Sequence, residues 1–192
     1  MVVIAVLASA SMLADVISPY NPTKTNLLEM LDGPSMAHPM GTDELGRDLM
    51  ARILHGGRVS LAVGVLAVAL AVTIGSTVGA IAGYRGGWVD NLLMRLVDFM
   101  IAPNAVGPII VAATLGISGA ILTESSLSYL GLGIQPPVAS WGNMLRNAQD
   151  QMTRAPWTAV FPGLMIFLTV LAVNYVGDGL RDALDPRKVG SR

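Results

Sequence analysis

The chain has 192 residues, 53% of them hydrophobic and only 13% charged, with a formal net charge of −1 and no cysteine. Mean hydropathy is +0.59. This is membrane composition; a neutral chain of this kind is no nucleic-acid binder, and without cysteine it has no disulfide, thiolate zinc site or iron–sulfur cluster.

Met1 to Ala14 is apolar and precedes Asp15. Ala8-Ser9-Ala10 fits the small-x-small end of a signal peptide, but no basic segment comes first. A helix over 1–17 forming a first span fits better. Residues 18–58 are polar and rich in breakers (Pro19, Pro22, Gly33, Pro34, Pro39, Gly41, Gly46), so an extramembrane loop is expected. Leu45, Leu49 and Ile53 recur at helical spacing near its end, and Asp48 and Arg52 are four apart. That pattern predicts an amphipathic helix on the bilayer surface, with an Asp48–Arg52 pair.

Val59 to Tyr84 carries no charge. As a helix it runs about 38 Å, against a hydrocarbon core of about 30 Å, so 59–83 is the expected second span. Gly75, Gly79 and Gly83 are four apart, beside Ser76, which predicts a face for close helix packing. After Gly86-Gly87, residues 89–101 form an expected helix at the cytoplasmic face, ended by Ala102-Pro103. The uncharged run 104–123 is the expected third span, ended by Glu124 and a serine-rich turn. Residues 124–156 form a second polar loop. The last span is expected over 157–177, with Trp157 at the interface and Pro162 near its first turn, and a polar tail covers 178–192.

Lys24, Arg47, Arg52 and Arg58 lie in the first loop, Arg85 and Arg95 after the second span, and Arg181, Arg187, Lys188 and Arg192 in the tail. The density of positive charge places the C-terminus, and with four spans the N-terminus, on the cytoplasmic side. The fold class expected is an all-α integral membrane protein of about four transmembrane helices.

Three blocks are specific. The first runs His38-Pro39-Met40-Gly41-Thr42-Asp43-Glu44-Leu45-Gly46-Arg47-Asp48. The second runs from Ser128 through Gly131, Gly133 and Gln135-Pro136-Pro137 to Ser140-Trp141-Gly142-Asn143. The third runs Gly177-Asp178-Gly179-Leu180-Arg181-Asp182-Ala183-Leu184-Asp185-Pro186. Together, over nearly the whole chain, they resemble the second permease subunit of the bacterial dipeptide/oligopeptide/nickel ABC importers. The resemblance implies half of a translocation pore, completed by a homologous permease subunit. Two cytoplasmic ATPase subunits would consume the ATP, and an extracytoplasmic solute-binding protein would deliver the solute. No cofactor belongs to the permease itself, and its place is the bacterial inner membrane, as a multi-pass protein. The substrate stays open among dipeptides, longer peptides, nickel chelates and glutathione.

The chain departs from that family in one respect. Members have six spans and an EAA coupling helix that docks on the ATPase. Here Val97-Asp98-Phe99-Met100, similar to the start of the third span, runs directly into Ile101-Ala102-Pro103-Asn104, similar to the end of the coupling segment. A truncated permease with a continuous backbone across Met100–Pro103 is expected. The alternative function is an internally deleted, uncoupled remnant.

The remaining polar residues read plainly. His38 and His55 stand as isolated loop residues, and the methionines are scattered packing or lipid-facing residues. Glu124, at a span end, is expected to reach water. Asn174 and Asp178 are expected to cap or pair, Asp178 or Asp182 with Arg181. Ser125, Ser126 and Ser128 have no nearby histidine, so hydrolase chemistry, like any enzyme activity, is not expected.

Overall fold

The computed structural model describes residues 2–85 and 106–184. The expected helix 89–101, the Met100–Pro103 junction, Asp185 and Pro186 lie outside them, as do the surroundings of Gly83 and Asp182. Six α-helices follow one another: α1 Val2–Met12, α2 Ala14–Ile17, α3 Leu49–Arg85, α4 Val106–Tyr129, α5 Trp141–Ala148 and α6 Trp157–Leu184, with 3-10 turns at Leu27–Glu29 and Gln149–Gln151. Among the described residues there is no strand, only an isolated antiparallel bridge between Thr42 and Asp48. The chain is all-α.

Helix α4 lies between α3 and α6 and packs along both, α1 lies across α3 and α6, and the short α5 covers α4 and α6 at one end. Glycines set the close approaches. A Cβ on Gly64 would meet Ile121 at 2.8 Å, and one on Gly177 would meet Thr114 at 2.9 Å. Helices α3 and α6 are long and apolar enough to cross a membrane. The outer part of α3 leaves Val65, Leu66, Leu70 and Ile74 bare. An apolar face of that extent has hydrocarbon as its natural solvent.

Three expectations change. The surface helix and the second span are one element: α3 has 37 residues, about 54 Å of helix, so its first turns stand clear of the hydrocarbon. Gly56 and Gly57 do not break it. They admit neighbours instead, Ser140 and Ala139 beside Gly56, Ser11 and Trp141 beside Gly57. The third helix does not stop at Glu124 but runs on to Tyr129. The first helix breaks at Leu13 and resumes as α2. Arg58 explains how that break is held. Its Nε donates to the Ser11 carbonyl and Nη2 to the Met12 carbonyl, both at 2.7 Å, satisfying acceptors that a helix end leaves open.

Of the expected glycine face, Gly75 and Gly79 are open among the described residues: a Cβ on either would meet nothing within 4 Å. Pro162 falls inside α6, beyond its first turn.

Candidate functional site: the polar cap

At the end of the bundle where α3 and α6 begin, the first two sequence blocks fold together into a buried polar cap. Asp43 is its centre. Its Oδ1 accepts from the backbone amides of Leu45, at 2.9 Å, and Arg47, at 3.0 Å. Its Oδ2 accepts from Arg47 Nε at 2.7 Å and lies 3.3 Å from Arg52 Nε. The three side chains are 4%, 6% and 2% exposed, so one carboxylate is held between two guanidinium groups away from water, with Glu44 as a second acidic group on Arg47. Arg52 therefore pairs with Asp43 and not, as its spacing suggested, with Asp48. Arg52 Nη1 has no hydrogen-bond partner among the described residues. A cavity of about 10 Å³ lined by Arg52, Glu44, Asn147 and Thr158 lies there, close to the room one water needs.

Asp48 has other work. Its Oδ1 accepts from the Ala51 amide at 2.6 Å and so caps the start of α3, while Oδ2 meets His38 Nδ1 at 2.8 Å. The other His38 nitrogen lies 3.4 Å from Glu29. His55 joins Asp15 at 2.9 Å and the Ala51 carbonyl at 2.8 Å. Both histidines thus face carboxylates, contrary to the isolated reading. No group of His, Asp and Glu able to hold a metal ion exists among the described residues.

Gly46 has φ +67°, and a Cβ there would lie 1.7 Å from the Asn26 carbonyl oxygen, so only glycine fits. Thr42 Oγ1 accepts from the Asp32 amide and donates to the Glu29 carbonyl. The Thr42 carbonyl in turn accepts from Trp157 Nε1 at 3.3 Å. Trp157, expected as an interfacial anchor, instead ties α6 to the first loop.

Burial pushes the Glu44 carboxyl above the usual carboxylate range, and the neighbouring charge of Asp43 adds to this. Glu44 bonds Arg47 Nη2 at 2.9 Å and Asn147 Nδ2 at 3.3 Å, linking the first block to α5.

The second block is fastened by a capping box. Ser140 Oγ accepts from the Asn143 amide, and the Asn143 side chain accepts from the Ser140 amide. Asn143 Nδ2 also donates to the carbonyls of Ile134 and Val138. Gly142 lets α5 sit on α4, since a Cβ would fall 2.6 Å from Ser125 Cα. Trp141 is 1% exposed and donates to the Ile53 carbonyl at 3.0 Å. Gln135 bonds the Gly131 and Gly133 carbonyls, and Pro136 and Pro137 are exposed on the surface.

Beneath lies Glu124, 7% exposed and not, as expected, open to water. It accepts from Ser128 Oγ at 2.7 Å and Ser60 Oγ at 3.3 Å. Ser128 Oγ also accepts from the Ile134 amide, and Ser60 Oγ from the Trp141 amide. One carboxyl thus joins α3, α4 and α5. Sequence reading missed this hub, although Glu124 and Ser128 are four apart in a helix; the contribution of Ser60 had no local signal. The apolar underside of the cap is Leu49, Ile53 and Met144, with Met40, Trp157, Phe161 and Met165 against them.

The third block stands apart, at the far end of α6. Gly177 is buried against Thr114, while Asp178, Gly179 and Arg181 are exposed, and Asp178 and Arg181 do not pair with each other. Asn174 pairs across helices, accepting from Ser118 Oγ at 2.8 Å.

An all-helical chain whose long apolar helices are bare on their outer faces, with a polar cap at one end, has the build of an integral membrane protein. Residues 99–190 match the family described as "Binding-protein-dependent transport system inner membrane component". The dipeptide transport system permease protein DppC of Alkalihalophilus pseudofirmus is 34% identical over 85% of this chain and 77% of its own length. The glutathione transport system permease protein GsiD of Pectobacterium atrosepticum is 35% identical over 81% of this chain and 75% of its own. DppC of Haemophilus influenzae is 32% identical over 97% and 89%. The chain belongs to this family of binding-protein-dependent permeases: it is an inner-membrane permease subunit of an ABC importer, not an enzyme.

The first of these alignments extends over 233 positions, more than the 192 residues of the chain. The relative therefore has residues inside the aligned region for which this chain has no counterpart, in keeping with the shortened form.

Proposed function

We propose that this chain forms half of the translocation pore of an importer for peptides or related small solutes. The observation that carries the reading is the match in identity and coverage to permeases named for dipeptide and glutathione transport. A homologous permease subunit completes the pore, and an extracytoplasmic solute-binding protein docks on the polar cap. Two cytoplasmic ATPases bind at the end bearing Gly177, Asp178, Gly179, Arg181, Asp182, Asp185 and Pro186. ATP is used by those ATPases, and this chain carries no cofactor. The protein is multi-pass, with spans formed by α1–α2, α3, α4 and α6. The exposed Gly75–Gly79 face, unpartnered here, receives a helix of the homologous permease.

A second reading is favoured by the alignment that outruns the chain. With a stretch of the family fold missing, the subunit assembles but is uncoupled from ATP hydrolysis. Coupling needs an element whose two positions the ATPase biases. Co-expression with a cognate permease, both ATPases and the binding protein separates the readings. ATP-dependent dipeptide uptake above an ATPase-dead control supports a working pore half. Co-purification without uptake supports the uncoupled form, and neither assembly nor uptake overturns both.

A further inference from the structure

Between α4 and α6 runs a groove of about 360 Å³, lined by Leu122, Gly163, Ile166, Phe167, Val170 and Asn174 among others. Asn174 is its one polar side chain among the described residues. It lies 17 residues into α6, about 26 Å along the helix from Trp157 and so still within the depth of the hydrocarbon. Ser118, 5% exposed, donates to Asn174 Oδ1 at 2.8 Å. That bond turns the amide so that its oxygen faces α4, and it leaves both N–H donors of Nδ2 without a hydrogen bond among the described residues. Asn174 is half-buried, so its Nδ2 stands open to whatever occupies the groove.

Gly163 lines the groove eleven residues before Asn174. A Cβ there would meet only Leu145 Cδ2, at an ordinary 3.7 Å. Packing does not demand glycine at this position, and a large side chain would fill the groove rather than displace a helix. The wider groove between α1, α3, α4 and α6, about 490 Å³, has Ser11, Arg58 and Thr114 as its polar residues. Its Arg58 is committed to the Ser11 and Met12 carbonyls and to Asp15.

We propose that the α4–α6 groove is a contact station on the solute path, where the Asn174 amide donates to a carbonyl or carboxylate oxygen of the passing peptide. The apolar walls suit peptide side chains, and the volume lies within the range of about 300–1,000 Å³ common to small-molecule sites. The proposal rests on the permease reading and adds the residue that touches the solute.

The chain has no cysteine, so single replacements report cleanly. Asn174→Cys, Val170→Cys and, outside the groove, Leu164→Cys are made in the co-expressed importer in inside-out vesicles. Gly179→Cys serves as the insertion control. A charged, membrane-impermeant thiol reagent is expected to modify Cys at 174 and 170 well ahead of 164. The dipeptide alanyl-alanine at about ten times its dissociation constant slows the reaction at 170, where Asn174 is retained, about tenfold by mass action. Gly163→Phe added to Val170→Cys, which leaves Asn174 in place, is expected to suppress labelling at 170 by filling the groove. No reaction at 174 beyond that at 164, with Gly179→Cys labelled, overturns the proposal. Reaction at 170 that dipeptide leaves unchanged overturns the solute contact. Failure of the permease reading shows separately, as loss of the co-purifying partner permease.

Discussion

At the scale of the residue, the cap is governed by two kinds of irreplaceable group. Asp43 compensates two buried guanidinium groups, so Asp43→Asn is expected to destabilise the chain by about 3–5 kcal/mol, because an uncompensated buried charge remains. Thermal unfolding in detergent measures it. Gly46→Ala costs about 1–2 kcal/mol for the left-handed backbone alone, before the clash with the Asn26 carbonyl. Gly75→Ala meets nothing and is expected to leave the unfolding temperature of the isolated chain unchanged or slightly raised. Glu44 sets a pH dependence. Its carboxyl is raised by burial, so the folded chain holds that proton more tightly than the unfolded one. Protonation thus favours the fold: the contribution is complete below the ordinary value of 4.5 and is lost as pH rises through the raised one. Glu44→Gln is therefore expected to match or exceed the parent in stability at pH 7, with the difference closing toward that value; a variant that is less stable at neutral pH speaks against this.

At the scale of the element, the Glu124 hub is the feature to perturb. Glu124→Leu leaves the Ser60 and Ser128 hydroxyls without their acceptor, at about 1–3 kcal/mol for each buried group. Glu124→Gln keeps one acceptor oxygen and is expected to recover part of the loss. Equal effects from the two variants, measured as unfolding temperature in detergent, sink the acceptor role. Much of the architecture was legible. The uncharged runs gave α3, α4 and α6, and Ser140 with Asn143 at i, i+3 carried a capping box on its face. The errors share a cause. Charge marks where hydrocarbon begins, not where a helix begins: the span expected from residue 59 belongs to a helix that starts at Leu49. Spacing shows that Gly75 and Gly79 share a face but not what meets it. Glu124 looks solvent-bound in the sequence because Ser60, its partner on α3, is 64 positions away, and Ser60 is in turn 81 positions from Trp141 on α5.

At the scale of the whole molecule, the Gly75–Gly79 face is read as an interface with the homologous permease. Gly75→Leu with Gly79→Leu is expected to leave this chain folded while reducing co-purification of that partner; undiminished co-purification contradicts the interface. The central claim is that the first two blocks form one cap outside the membrane, with the end of α6 inside, and cysteine accessibility in intact cells tests it most directly. Ser140 is fully buried and unsuited as a probe, so the exposed Ser35 and Val138 stand for the cap and Gly179 for the inner end. Cysteines at 35 and 138 are expected to react with an impermeant maleimide in intact cells, and one at 179 only after permeabilisation. Labelling at 179 in intact cells, with 35 and 138 shielded, would contradict the account.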